Sequence, residues 1–122
     1  MLDTHALVWW LADAGRLPAP TRAAIADPWN DVLVSAVSGW EIAVKRDRGL
    51  LRAPRDMSAA IEAKGFTHLP LTFGHAEQAV ALPLHHRDPF DRFLIAQARV
   101  EGLTLVTRDS RIRRYQVDVL EA

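Results

Sequence analysis

The sequence predicts an α/β fold built on a mostly parallel sheet, and two observations carry that reading. Val32-Leu33-Val34 and Leu103 to Thr107 are short, continuous runs of apolar or β-branched residues, the pattern of strands buried on both faces. Helical patterns lie between such runs, and this alternation favours parallel crossover units. No linker, internal repeat or low-complexity segment interrupts the 122 residues, so residues 1–122 are read as one domain.

Taken in order, Asp3 to Ala12 reads as a helix entered from a very short strand. Only two residues precede Asp3, and so short a strand is expected to pair weakly and to hold Asp3 loosely. Pro18 and Pro20 break the chain, Thr21 to Ala26 reads as a second helix, and Asp27-Pro28 is a turn. After the Val32 to Val34 strand, Ser38 to Arg48 is helical and stops near Gly49. Met57 to Lys64 is a helix closed by Gly65. His68 to Leu71 reads as a strand interrupted by Pro70, and Phe73 to Leu82 as a helix. The clearest helix is Pro89 to Glu101, where Phe90, Phe93, Leu94 and Ala98 recur at helical spacing before Gly102. Leu103 to Thr107 is a strand, Ser110 to Arg113 a short helix, and Val117 to Leu120 a final strand.

Composition is that of an ordinary globular chain, long enough to bury about two-thirds of its unfolded surface. Cysteine is absent, which excludes disulfides and thiolate metal sites and suits a cytoplasmic location. The longest apolar run, Ala6 to Ala12, is far short of a membrane span, and no signal peptide is expected. Formal net charge is zero, without the basic excess common in nucleic-acid binders. Of 15 cations, 13 are Arg, and positive charge gathers at Lys45 to Arg55 and Arg108 to Arg114. Such runs are ordinarily solvated faces.

Function in open α/β sheets collects at the carboxyl ends of the strands. Asp3 and Asp109 follow strands directly, and Glu41 and Asp91 lie in the first turns of helices starting at that edge. Each acid also suits a helix cap. Ser38-Gly39-Trp40-Glu41 matches a capping box, Asp88-Pro89 is a good helix start, and Asp91 suits the helix dipole. Asp109 and Asp3 would cap the helices that begin at Ser110 and Thr4. Singly, capping is the more economical account. As a set, converging carboxylates repel, their pKa values rise, and a hard divalent cation relieves the cost.

Four stretches resemble the PIN-domain ribonucleases, and within them the VapC toxins of type II toxin–antitoxin pairs. They are Leu2 to Leu7 (LDTHAL), Ser35 to Ile42 (SAVSGWEI), His86 to Ala98 (HRDPFDRFLIAQA) and Val106 to Asp109 (VTRD). The resemblance runs through nearly the whole chain in the expected order. It implies a three-layer α/β/α sandwich around a parallel sheet. It also implies a metal-dependent endoribonuclease using Mg²⁺ or Mn²⁺, a homodimer and a bound antitoxin. Asp3, Glu41, Asp91 and Asp109 match the four acids of the motif as catalytic residues and metal ligands, so a metal-activated water would attack the RNA phosphodiester.

Around this set, Asp88 shares a helix face with Asp91 and is read as a supporting or capping residue. Thr4 and Thr107 flank acids and could orient a ligand. Arg87, Arg92 and Arg108 lie beside the acids and suit phosphate binding, though surface charge explains any one equally well. His5, next to Asp3, is a weaker candidate for the same contact. His85-His86 lacks an accompanying zinc pattern and reads as solvent-exposed or helix-flanking. Adjacent Trp9 and Trp10 cannot both face one core directly, and Trp40 is read as packed. Two other readings stay open: a metal-dependent phosphatase or DNA nuclease, and a non-catalytic module whose acids only cap helices. Asp3-Thr4-His5 lacks the Asp-x-Asp of haloacid-dehalogenase-like phosphatases.

Overall fold

A computed structural model describes all of residues 1–122. Its strands are β1 (Leu33–Ser35), β2 (Thr67–Leu69), β3 (Leu105–Thr107) and β4 (Val119–Glu121). Its α-helices are α1 (Thr4–Ala12), α2 (Ala19–Ala26), α3 (Ala36–Asp47), α4 (Met57–Ala63), α5 (Phe73–Ala81) and α6 (Pro89–Glu101). Short 3₁₀ turns occupy Ala14–Arg16 and Ser110–Arg114.

Two parallel strand pairs form, β1 with β2 and β3 with β4, in registers that place Val34 opposite His68 and Val106 opposite Leu120. Leu2 joins them, bridging in parallel to Val34 on one side and to Val106 on the other. The sheet order is therefore β2, β1, Leu2, β3, β4. The weak pairing expected of the first strand does not occur. Leu2 N–H donates to Leu33 O at 3.0 Å, and Val106 N–H donates to Met1 O at 2.8 Å. Asp3 N–H donates to Val106 O at 3.0 Å, so Asp3 is tied to the sheet directly. A central strand has a partner on both sides, so two residues suffice where an edge strand would need more.

Alternate strand residues face opposite layers. Met1, Leu69 and Leu105 enter one core cluster with Leu94, Ile95 and Ala98 of α6. Leu2, Val34 and Val106 enter the other with Ala6 and Leu7 of α1, Ile25 of α2 and Ile61 of α4. This is the α/β/α layering that the resemblance implies. Every buried side-chain nitrogen and oxygen has a hydrogen-bond partner. No helix is long and apolar enough to cross a membrane.

Several boundaries move by a residue or two, β3 starting at Leu105 and β4 at Val119, and three of the shifts have a local physical reason. The helix expected from Thr21 starts at Ala19, because Pro20 falls in the first turn where a missing N–H costs nothing. β2 ends at Leu69, ahead of Pro70. The helix expected from Ser38 starts at Ala36, and its cap is Ser35, whose Oγ accepts the Val37 N–H at 3.0 Å. Ser35 Oγ also donates to Gln97 Oε1 at 2.5 Å, pinning the start of α3 to α6. Ser38 lies inside the helix and is buried, so the capping-box reading of Ser38 and Glu41 is wrong. α6 begins and ends as read: Asp88 caps it, Pro89 opens it, and Gly102 closes it at φ 66°.

Leu2→Ala would truncate a fully buried side chain in the central strand. It should cost about 2–5 kcal/mol of unfolding free energy in urea titrations. A loss below about 1 kcal/mol would contradict the central position of Leu2.

Candidate metal centre

At the carboxyl edge of the sheet an open cleft of about 430 Å³ is lined by Asp3, Glu41, Asp88, Asp91 and Asp109. Lys45, Arg108, Arg111, His5 and Trp9 complete its wall. The four acids come from four segments: the end of the central strand, the second turn of α3, the first turn of α6 and the end of β3.

Local structure aims each of them. Asp3 caps α1 with Oδ1, which accepts the Ala6 N–H at 2.7 Å, and the Thr107 hydroxyl lies beside its carboxyl. Glu41 accepts from the Thr4 hydroxyl at Oε1 (2.8 Å) and from Lys45 Nζ at Oε2 (2.5 Å). Asp109 caps the last 3₁₀ turn with Oδ1, which accepts the Arg111 N–H at 2.9 Å. Arg111 Nη2 grips its Oδ2 at 2.7 Å. Asp88 accepts the Phe90 N–H at 2.9 Å, so its role in the ground structure is to cap α6. Thr4 and Thr107 are buried and contact acids, as their positions suggested.

Burial and repulsion spread the acids apart in pKa. Burial raises Asp3 above its usual value, opposed by its bonds to Thr107 and Ala6. Burial also pushes Asp91 up to about 6, helped by the charges of Asp88, Asp3 and Glu41. Asp109 goes the other way, held below the usual carboxylate range mainly by Arg111.

Other assignments change. Arg92 does not face a substrate. Its Nη1 donates to Pro83 O and His86 O at 3.0 and 3.1 Å, and its Nη2 to Ala79 O and Leu82 O at 2.8 and 3.0 Å. It clamps the end of α5 and the following loop, because those carbonyls have no helical partners. Arg108 stays in the cleft wall, its guanidinium 4.2 Å from the Trp9 ring centre. Trp10 instead packs on Phe66. Trp40 is 65% exposed and not packed in the core. It borders an apolar groove with Leu71, Phe90 and Phe93.

His86 was missed by the sequence reading. It is 2% exposed, and its Nε2 lies 2.9 Å from Oδ2 of both Asp91 and Asp109. The available signal was its place two residues before the Asp88 cap, from which a ring can fold back over the first turn of α6. Lys45 and Arg111 were missed as well. Lys45 was legible as the i,i+4 partner of Glu41.

Residues 1–118 match the PIN domain family. The chain belongs to that family. Ribonuclease VapC22 of Mycobacterium tuberculosis (strain ATCC 25618 / H37Rv) is 33% identical over 119 residues, covering 95% of this chain and 91% of that protein. Among solved structures, this PIN domain superposes on VapBC2 from Rickettsia felis bound to a promoter DNA fragment, with a TM-score of 0.74 and 14% identity. The match covers 100% of this chain and 97% of that one. A toxin–antitoxin complex from Klebsiella pneumoniae gives a TM-score of 0.67 at 18% identity, over 98% of this chain and 93% of that one. FitAcB from Neisseria gonorrhoeae gives 0.64 at 21%, over 98% and 94%. These likenesses establish the fold.

The raised Asp91 has a signed consequence. Its folded pKa of about 6 exceeds the ordinary 3.8, so the folded state holds a proton that the unfolded state has released between those values. Stability from this group is present below about pH 4 and is lost as pH rises through 6. Asp91→Asn should therefore be more stabilising, relative to the parent chain, at pH 7.5 than at pH 4.5, by on the order of 1–2 kcal/mol. Urea titrations in EDTA at the two pH values measure it, and an equal effect at both would refute the raised pKa.

Proposed function

We propose that the chain is a divalent-metal-dependent endoribonuclease, the toxin of a toxin–antitoxin pair acting in the cytoplasm. The observation that carries this is the convergence of Asp3, Glu41, Asp91 and Asp109 on one cleft. Membership of the PIN domain family and kinship to a protein named as a ribonuclease support it.

The donor set fits Mg²⁺ or Mn²⁺. Carboxylates are hard ligands, and Asp3, Glu41, Asp91 and Asp109 bring four of them to one cleft. When bound, such an ion supplies Lewis acidity toward a phosphate oxygen and lowers the pKa of a water. Asp3 and Asp91 are the principal holders, with Asp109 and Glu41 completing the set. Thr4 and Thr107 keep Glu41 and Asp3 in orientation. Lys45 and Arg111 neutralise Glu41 and Asp109. Once those carboxylates serve a metal, both cations are free to meet phosphate oxygens, with Arg108 alongside. A chain of zero net charge can thus bind RNA through one local group of cations.

The partners in this reading are RNA, a cognate antitoxin and a second copy of the chain. The solved neighbour described as a toxin–antitoxin complex supports a protein partner. The apolar groove of about 380 Å³ beside exposed Trp40 supports one too.

Asp3→Asn and Asp91→Asn should each slow Mg²⁺-dependent RNA cleavage by at least about 100-fold, since even groups that only support a metal ligand cost 10–100-fold. EDTA should abolish cleavage by the parent chain. Undiminished cleavage by either variant would sink the metal-site assignment. Running RNA, DNA and a small phosphomonoester side by side separates this activity from a DNA nuclease or phosphatase.

A further inference from the structure

We infer that His86 is a positioning residue: an imidazole that hydrogen-bonds Asp109 through its Nε2–H, with the Asp91 carboxylate packed against the same nitrogen, so that it holds both acids at the cleft without ligating the metal itself. The inference rests on the metal-site reading above.

The tautomer follows from the hydrogen bonds. His86 Nδ1 accepts the Asp88 N–H at 3.2 Å, so that nitrogen carries a lone pair and the proton sits on Nε2. From the other side, Nε2 faces Oδ2 of Asp91 and Oδ2 of Asp109, each at 2.9 Å. Ionised carboxylates only accept, and they would repel a bare Nε2 lone pair. Both sides of the ring thus give one answer.

A ring nitrogen beside two carboxylates also has the composition of a metal ligand set, since the three ligating atoms lie within 4.8 Å of one another. Ligation through Nε2 would need its proton to move to Nδ1. There it would point at the Asp88 N–H, and that backbone donor would lose its acceptor at the start of α6. The ring is therefore built as a donor to ligands.

Its backbone is equally determined. The His86 N–H donates to Tyr115 Oη at 2.8 Å, and the Tyr115 hydroxyl donates to Pro83 O at 2.6 Å. The His86 carbonyl accepts from Arg92, which binds three further carbonyls around the same loop. Tyr115 and Arg92 fix the loop, the loop fixes the ring, and the ring fixes two carboxylates that charge alone would drive apart. Partners of this kind, one step removed from the metal, commonly decide its affinity.

The test is calorimetric titration of Mn²⁺ into the full chain and the variants His86→Gln, His86→Asn and His86→Ala at pH 7.5, each checked for folding by circular dichroism. A Gln amide reaches the position of Nε2, whereas Asn reaches only that of Nδ1. Gln should bind Mn²⁺ within about threefold of the parent, and Asn and Ala should bind roughly 10–100-fold more weakly. If the parent chain binds no Mn²⁺, the metal-site reading falls and this inference with it. If the parent binds and Asn or Ala binds as tightly, only the role of His86 falls. Nitrogen-15 NMR of the imidazoles in the parent chain needs no variant. It should show the Nε2–H form of His86 without metal and after Mg²⁺ is added. An Nδ1–H form in either state overturns the inference.

Discussion

Leu2 pairs with β1 on one side and β3 on the other, and through it the two strand pairs become one sheet. Three backbone bonds at Met1, Leu2 and Asp3 do this, and the third also places the first acid of the cleft. In a parallel sheet every strand delivers its carboxyl end to the same edge. Asp3 and Asp109 consequently emerge side by side, while α3 and α6 begin there and bring Glu41 and Asp91. Burial of Leu2 in one core layer and Met1 in the other locks the short segment at its centre.

Capping and site chemistry are joined in the same residues. A carboxylate has two oxygens, and Asp3 spends Oδ1 on the Ala6 N–H. Asp109 spends Oδ1 on the Arg111 N–H and turns Oδ2 toward His86. The helix starts that these acids stabilise also restrict where their second oxygens point. Glu41 is the exception, since Ser35 caps α3 and leaves Glu41 to Thr4 and Lys45.

The electrostatics separate the acids by role. Arg111 keeps Asp109 ionised, whereas desolvation and the neighbouring charge of Asp88 let Asp91 hold its proton up to about pH 6. Neighbouring carboxylates pushed in opposite directions are a recurring mark of sites that do acid–base or metal chemistry.

The sequence by itself determined the α/β class, the helix and strand order and the span of α6 from Pro89 to Glu101, all written in local spacing through periodicity, caps and breaks. It also carried the resemblance to the PIN-domain ribonucleases, which the family match over residues 1–118 bears out. Tertiary structure decided what spacing cannot encode. The bond between Thr4 and Glu41 spans 37 residues, and that between His86 and Asp109 spans 23. Neither separation leaves a local trace, so His86 read as an ordinary flanking histidine, and the carbonyl clamp made by Arg92 was equally invisible among readings of phosphate contact or surface charge. Ser38 resembled a cap because its spacing to Glu41 was right, but Ser35 stands at the actual end of β1 and took that place. Asp3 seemed loosely held when its strand was judged by length. In the folded chain it is bonded to Val106, because a central strand is secured by neighbours that lie far away in sequence.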